Sequence, residues 1–290
     1  MKKGKGVHSP VRRLVIECKN QPHTMSTLHD PITHSTRFNS AAAERDPRVR
    51  DYWRDGYVAL RGLFGTEEIA AWSAECDRLL HSDLVQPHNV RTPFRFNSGN
   101  APERIDPVLD ISPIFAGLIN DPRILTIVEA IFQDTPLLFK DKLIFKAPGT
   151  DGYSMHQDQA WWQMCSADDM LSVSIQVDGA TAANGCIELF PGYHDRLLTP
   201  AGTLCNFRAE ERAQVDLSKG EKIETQPGDV LIFHSLAPHQ SSTNLANVSR
   251  RSLYLTFSAA RVGDLYREHL EKYISRSSKA EEMKGQAFFK

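Results

Sequence analysis

The stretch Gln226-Pro-Gly-Asp-Val-Leu-Ile-Phe233 shows the pattern that decides the fold class. A Pro-Gly turn signal leads into four consecutive apolar residues, a run that has the length of a buried strand. Similar short runs, rich in Val, Ile, Leu, Phe and Tyr, fill residues 136–257. Turn signals separate them at Pro148-Gly149, Asn184-Gly185 and Pro191-Gly192. Many short strands with frequent turns predict a β-sandwich or barrel.

Helical patterns precede this block of strands. Gly65-Thr66 is followed by two acidic residues, which stabilise the first turn of a helix. Asp121-Pro122 combines an N-cap residue with a proline at the first helical position, and a strongly apolar segment follows. Helices first and strands afterwards predict one mainly β domain over residues 46–290, buttressed by N-terminal helices.

Two segments lie outside these patterns. Residues 1–25 contain several basic residues but no continuous apolar run, so they do not form a secretory signal. We expect residues 1–45 to be a disordered or weakly ordered extension, and a mitochondrial leader is the alternative. The segment from His81 to Asp110 is polar and rich in proline. Long loops of this kind are often functional, and we expect a mobile lid that becomes ordered when substrate binds.

Composition excludes several classes of protein. With 290 residues, 41% of them hydrophobic, and a formal net charge of −2, the chain suits a globular protein and not a nucleic-acid-binding one. No apolar run approaches the roughly 18 residues that a membrane-spanning helix needs. The five cysteines form no Cys-x-x-Cys pair, which indicates a reducing, cytoplasmic compartment. The sequence does not distinguish a monomer from a homodimer.

A candidate metal site begins in Tyr153-Ser-Met-His-Gln-Asp158. Alternate residues of a strand point to the same face, so a strand here would project His156 and Asp158 side by side. These groups make up two thirds of the 2-His-1-carboxylate arrangement that holds non-haem Fe(II). A surface ion pair is the alternative interpretation of so short a motif.

The remaining groups of such a site follow the strand at residues 230–233. His239 offers the third ligand, and Ser241 lies two residues later, on the same face of a strand. Arg250 begins another apolar strand, from which its guanidinium would reach back beside the metal. Arginine binds a carboxylate through two parallel hydrogen bonds and stays charged when it is partly buried.

Together these segments resemble the phytanoyl-CoA dioxygenase family of Fe(II)/2-oxoglutarate-dependent oxygenases. The resemblance spans residues 52–257 and includes the opening segment Asp55–Phe64. Its main motifs are His156-Gln-Asp158, Asn184-Gly-Cys-Ile-Glu-Leu-Phe-Pro-Gly-Tyr-His194, and His239-x-Ser241-x-x-Asn244 with Arg250. It implies a double-stranded β-helix, a jelly-roll and cupin-like fold.

The resemblance also implies the cofactors and the residues that hold them. His156, Asp158 and His239 would be the ligands of Fe(II). Arg250 and Ser241 would hold the distal carboxylate of 2-oxoglutarate, which is decarboxylated to succinate as O2 oxidises the substrate. Related halogenases have Ala or Gly in place of the acid, so Asp158 implies hydroxylation or desaturation and not chlorination.

We expect the substrate near Lys140-Asp-Lys-Leu-Ile-Phe-Lys146. Strand alternation places the three lysines on one face. If that face points inward, Lys142 would bind the co-substrate and Lys140 an anionic or zwitterionic substrate. The alternative is an outer face exposed to solvent.

Three further residues are assigned to the substrate. The family's ectoine hydroxylases have a Trp six residues after the first iron ligand, and Trp162 holds that position. Gln157 and Asn244 belong to the matching motifs. The segment before the first motif also resembles members that hydroxylate small aminoalkylphosphonates. Beside these, Arg251 alternates away from its neighbour and is expected to be exposed.

The favoured hypothesis is an Fe(II)/2-oxoglutarate-dependent hydroxylase of a small polar metabolite, such as an aminoalkylphosphonate or an amino acid derivative. An acyl-CoA or a natural-product intermediate is the alternative substrate. A jelly-roll binding or sensing module without catalysis is a second hypothesis, and a zinc hydrolase with the same ligands is a third. A carboxylate ligand combined with a carboxylate-binding arginine favours the oxygenase, because a pure binding module does not need the two together.

Overall fold

The computed structural model describes residues 38–85 and 102–275, except for the side chain of Ile274. In these ranges the α-helices are α1 (Ser40–Arg45), α2 (Pro47–Asp55), α3 (Thr66–Leu80), α4 (Pro113–Gly117), α5 (Pro122–Phe132), α6 (Ala209–Arg212) and α7 (Tyr266–Ser275). Short 3-10 helices lie at Leu118–Asn120, Asp158–Ala160, Ala167–Asp169, Leu217–Lys219 and Ala260–Val262.

Local signals start and end the helices. The side chain of Asp46 accepts from the backbone N–H of Arg48 at the start of α2, and the helix ends at Gly56 in the left-handed conformation. At the start of α3, the backbone N–H of Gly65 donates a hydrogen bond to the side-chain carboxylate of Glu68. Asp121 caps α5 in the same way as Asp46 caps α2. The helix starts predicted around residues 66 and 122 are confirmed.

The strands are β1 (Tyr57–Leu60), β2 (Arg104–Ile105), β3 (Pro136–Lys146), β4 (Met170–Gln176), β5 (Ile187–Leu189), β6 (Glu221–Lys222), β7 (Val230–His234), β8 (His239–Ser241) and β9 (Arg250–Ala259). They form a six-stranded sheet in the order β1-β7-β4-β9-β3-β2 and a three-stranded sheet in the order β6-β5-β8. Every pairing is antiparallel. The prediction of a β-rich fold with N-terminal helices is confirmed at this level.

The larger sheet has two faces with different partners. Side chains on its outer face, such as Leu143 and Phe145, belong to one apolar cluster with α2, α3 and α5. The intervening residues Lys142 and Ile144 point to the opposite face and line a pocket together with residues of the smaller sheet. The helices therefore close one side of the sheet, and the candidate site lies on the other.

Two expectations from the sequence concern the N-terminal extension and the lid. Helix α1 lies within the segment expected to be weakly ordered, and its Ala42 and Ala43 are buried, so helical structure begins before residue 46. Most of the expected lid, residues 86–101, lies outside the described residues. Within the described ranges, no helix combines the length and the hydropathy that crossing a bilayer requires.

Candidate metal centre

His156 and His239 lie side by side because their backbones pair. The N–H of each residue donates to the carbonyl oxygen of the other at 3.0 Å. The two imidazole centroids are 4.2 Å apart. This isolated antiparallel bridge joins the segment before Asp158 to β8, so main-chain hydrogen bonds fix the spacing of two candidate ligands.

Asp158 completes the group from a different backbone conformation. It begins a 3-10 helix, so the predicted strand through His156 and Asp158 is wrong. Its Oδ1 nevertheless lies 3.7 Å from His156 Nε2 and 4.0 Å from His239 Nε2. One ligand atom from each of the three residues lies within 4.8 Å of the others. The turn into the 3-10 helix brings the carboxylate towards the imidazoles.

The hydrogen bonds of the imidazoles leave the correct nitrogen free for a metal. Nδ1 of His156 lies 2.8 Å from the carbonyl oxygen of Ser154, and Nδ1 of His239 lies 3.0 Å from that of Ala237. A carbonyl only accepts hydrogen bonds, so Nδ1 carries the proton and Nε2 keeps its lone pair in the neutral ring. Partners of this kind orient metal-binding histidines in proteins.

Electrostatics favour the ligating protonation states. Burial, with a smaller contribution from His156, lowers the pKa of His239 to about 4, so this imidazole is neutral at neutral pH. Burial alone would raise the pKa of Asp158, but His156, His239 and Lys142 outweigh it and hold the pKa well below its usual value. Two imidazoles and an ionised carboxylate fit a divalent metal such as Fe(II).

A pocket between the two sheets adjoins these three residues. Its lining includes Lys142, Ile144, Tyr153, His156, Ile187, His239, Gln240, Ser241, Arg250 and Tyr254. Arg250 is only 4% exposed, and its Nε has no hydrogen-bond partner among the residues that the structure describes. Because buried donors are nearly always paired in proteins, this nitrogen indicates a bound acceptor such as a carboxylate.

Lys142 is a second cation on the pocket wall. Its Nζ lies 5.0 Å from the centre of the Tyr254 ring and makes no hydrogen bond or ion pair to any described residue. Burial lowers the pKa of Lys142, although the charge of Asp158 opposes this effect. The inward orientation of the Lys142 face excludes the solvent-exposed alternative considered from the sequence.

Lys140 and Trp162 do not line the pocket. Lys140 Nζ is buried and donates to both carboxylate oxygens of Asp106, at 2.9 and 2.7 Å. Trp162 packs in a small apolar cluster with Phe139 and Met170. Both side chains therefore interact with other residues of the chain, outside the pocket.

Gln157 and Asn244 likewise bond the main chain. The Gln157 side-chain amide donates to the carbonyl oxygens of Arg196 and Leu236, and its oxygen accepts from the N–H of Leu198. The Asn244 amide donates to the carbonyl oxygens of Lys146 and Val248. Both side chains hold loops near the site and are absent from the lining given above.

Arg251 differs from its predicted exposure. It forms ion pairs with Asp178 and Asp77, and its side chain is 15% exposed. The prediction was wrong because α3 covers this edge of the outer sheet face: Arg251 also donates to Ser73 of α3. The opposite orientations of Arg250 and Arg251 follow from strand alternation, as expected.

Several residues near the site were not predicted from the sequence. Tyr254 lies four positions after Arg250 on β9, so the period of two in a strand places it on the same face. Tyr153 comes from a loop, and no sequence signal marks it. Ser172 of β4 donates its hydroxyl to Asp158 Oδ2 at 3.0 Å, within a run of otherwise ordinary strand residues.

Two curated proteins are similar to this chain over most of its length. The methylphosphonate hydroxylase of Gimesia maris is 34% identical over 203 residues, which cover 70% of this chain and 72% of the relative. The 2-aminoethylphosphonate dioxygenase of an uncultured bacterium is 26% identical over 243 residues, covering 79% and 89% of the two chains.

A solved structure and a family model also match this chain. EctD from S. alaskensis, crystallised with 2-oxoglutarate and 5-hydroxyectoine, has a similar fold, with a TM-score of 0.69 at 22% identity over 82% of this chain and 84% of EctD. The family described as phytanoyl-CoA dioxygenase (PhyH) matches residues 52–252. The chain therefore belongs to the phytanoyl-CoA dioxygenase family of Fe(II)/2-oxoglutarate-dependent oxygenases, as its motifs predicted.

Proposed function

We propose that this protein is an Fe(II)/2-oxoglutarate-dependent hydroxylase of a small alkylphosphonate-like anion. One observation carries the proposal: two cations without hydrogen-bonded anions, the partly buried Lys142 and the buried Arg250, line one pocket beside the group of three candidate metal ligands. The two facing antiparallel sheets support a double-stranded β-helix as the framework of this site.

Separate groups of residues would hold the metal and the distal end of the co-substrate. His156, Asp158 and His239 would bind Fe(II), which supplies O2-dependent decarboxylation of 2-oxoglutarate to succinate, coupled to hydroxylation of a substrate C–H bond. Arg250 and Ser241 would bind the distal carboxylate, because both line the pocket and the guanidinium lacks an acceptor. The pocket walls would orient both ligands and limit the access of water.

Lys142 would bind a second anionic group. Across β3 and β9, Lys146 pairs with Arg250 and Lys142 pairs with Tyr254, so the two ends of the pocket are four strand residues apart. At about 3.3 Å per residue this separation is about 13 Å, enough for two distinct anionic groups. Lys140 is already neutralised by Asp106, which leaves Lys142 as the cation for the substrate or for the metal-proximal end of the co-substrate.

The charges of the pocket favour an alkylphosphonate over an aminoalkylphosphonate or an amino acid. A phosphonate offers three acceptor oxygens and up to two negative charges to the ammonium group of Lys142. None of the described lining residues is acidic, so the described pocket wall offers no carboxylate for a substrate ammonium group, and the metal would engage the neighbouring Asp158. The names of the Gimesia maris relative and of the uncultured bacterium's enzyme support the phosphonate class.

Succinate release tests the proposal. We expect Fe(II), O2 and 2-oxoglutarate to give slow succinate formation, which methylphosphonate stimulates more strongly than 2-aminoethylphosphonate, ectoine or an acyl-CoA. His156→Ala should abolish both rates. Binding of Fe(II) and 2-oxoglutarate without O2 consumption would support a binding module, whereas Zn-dependent turnover without 2-oxoglutarate would support a hydrolase.

Lys142 provides a matched test of the substrate class. Lys142→Met should lose the stimulation by methylphosphonate but keep the slow succinate formation, if the ammonium binds the substrate. Loss of both would assign Lys142 to the co-substrate instead. Lys222 is exposed on β6, and Lys222→Met serves as the control with the same change of side chain.

A further inference from the structure

We propose that Lys146 is a positioning residue for the co-substrate: it fixes the hydroxyl of Ser241 as a hydrogen-bond donor aimed into the pocket beside Arg250. This inference rests on the proposed function, because it takes the ligand at that end of the pocket to be the distal carboxylate of 2-oxoglutarate. It assigns a role to a lysine that neither binds the metal nor lines the pocket.

The ammonium group of Lys146 is completely engaged by neighbouring oxygens. Its Nζ donates to Ser241 Oγ at 3.0 Å, to the carbonyl oxygen of Gly185 at 3.3 Å, and to that of Ser242 at a short distance. Three protons meet three acceptors, and the residue is 1% exposed. Lys146 therefore has no donor left for a ligand and acts through Ser241.

These contacts determine the direction of the Ser241 hydroxyl. Its oxygen accepts from Lys146 Nζ and also from the backbone N–H of Tyr153 at 3.1 Å. A hydroxyl has two lone pairs and one proton, so both acceptor positions are filled and the remaining interaction is donation. No described residue accepts this proton, and Ser241 lines the pocket with Arg250. A donor-only hydroxyl beside a guanidinium fits a carboxylate oxygen.

The arrangement depends on the charge of Lys146. Burial, and then the neighbouring Arg250, lower the pKa of Lys146 to about 8, while Cys186, Glu103 and Asp151 oppose this shift. Above that pH the neutral amine has a lone pair of its own and accepts the proton of Ser241, which removes the donor from the pocket. Co-substrate affinity should therefore be high below pH 8 and fall as the pH rises through it.

The experiment measures 2-oxoglutarate binding directly, by calorimetry with the Fe(II)-loaded protein under anaerobic conditions. Lys146→Met should weaken binding about 10- to 100-fold, the effect of losing one oriented hydrogen bond to a charged group. The wild-type dissociation constant should rise between pH 7 and 9, and this rise should be absent in Ser241→Ala. Lys146→Arg keeps the charge and should show no such rise.

Each outcome decides between distinct explanations. Unchanged 2-oxoglutarate affinity in Lys146→Met, even with a lower melting temperature, overturns the proposal and leaves Lys146 as a structural residue. A rise of the dissociation constant with pH that persists in Ser241→Ala also overturns the proposal. This measurement tests the proposal even if Lys146→Met does not fold. Arg250→Met distinguishes a failure of the proposed co-substrate site from a failure of the proposed role of Lys146. If both Lys146→Met and Arg250→Met bind 2-oxoglutarate normally, the co-substrate site is assigned wrongly. If only Arg250→Met loses binding, only the role of Lys146 is refuted.

Discussion

Ser172 orients the carboxylate of Asp158 from the neighbouring strand β4. Its hydroxyl donates to Oδ2 at 3.0 Å, while Oδ1 faces the two imidazoles. A carboxylate with one oxygen already bonded is held in a single orientation before a metal binds. Residues that bond metal ligands in this way tune metal affinity without touching the metal.

We expect Ser172→Ala to lower Fe(II) affinity about 10- to 100-fold, because Asp158 would lose the donor that orients it. Anaerobic metal titration of the purified protein measures the effect. Ser174→Ala is the matched control, since Ser174 lies two residues along the same strand and bonds Gln176. Equal affinities of the two variants would contradict a role for Ser172 at the metal.

Individual side chains differ in how far the sequence reveals them. His156, Asp158 and His239 are residue types that bind metals, and the spacing of the first two carries recognisable chemistry. Ser172 has no such signal, because a serine on a buried strand has many possible partners and only the fold selects one. Gln157 and Asn244 show the reverse case: they belong to the motifs, but their amides bond the main chain.

At the scale of elements, the loop at residues 147–155 is pressed against β8. The N–H of Ser241 donates to the carbonyl oxygen of Tyr153 at 3.0 Å, and the Ser241 hydroxyl accepts from the Tyr153 N–H. A Cβ placed on Gly152 would lie 1.7 Å from the carbonyl oxygen of Ser241. Only glycine permits this approach, which brings the loop and the strand together at the pocket.

Gly152→Ala should therefore lower the free energy of unfolding by about 1–3 kcal/mol and weaken 2-oxoglutarate binding, because the loop must move away from β8. Urea denaturation and calorimetry measure the two effects. Gly117→Ala is the control: a Cβ there meets no atom within 4 Å, and removal of glycine from this helix should stabilise by about 0.4–1 kcal/mol. The same stability change in both variants would disprove the close approach.

Elements with a regular period were predictable and those without one were not. Alternation on β3 correctly placed Lys142 and Ile144 on one face, although only the structure shows that this face points inward, and cap residues marked the starts of α3 and α5. The segment around His156 forms only a single bridge before the chain turns into a 3-10 helix. A motif of three residues carries too little periodicity to distinguish that conformation from a strand.

In the whole molecule, the pocket is a local concentration of positive charge. The complete chain has a formal net charge of −2, yet the pocket and its surroundings hold Lys142, Lys146 and Arg250. A cleft that concentrates positive charge attracts anionic ligands even in a mildly acidic protein. Composition could not reveal this local concentration of charge, because it depends on which segments meet in space.

The ion pair between Asp106 and Lys140 joins two such segments, and only the tertiary structure shows that Lys140 is paired. Asp106 is 2% exposed and also lies 3.2 Å from Arg104. Burial alone would raise the pKa of Asp106, but Lys140 and Arg104 outweigh it and lower the pKa below its ordinary value of 3.8. A carboxyl whose pKa is lower in the folded state stabilises the fold above the unfolded pKa, and this contribution disappears as the pH falls through the folded pKa.

Asp106→Asn should consequently cost about 3–5 kcal/mol of unfolding free energy at pH 7, because it leaves buried cations without their partner. The difference from the wild type should narrow as the pH falls below 3.8, where protonation removes the same charge from the wild type. Denaturation curves at pH 7, 4 and 3 measure it. The double variant Asp106→Leu/Lys140→Met removes both charges and should recover much of the loss. A difference that stays constant over this pH range would show that the carboxylate charge of Asp106 does not stabilise the fold, and that the loss in Asp106→Asn arises from packing.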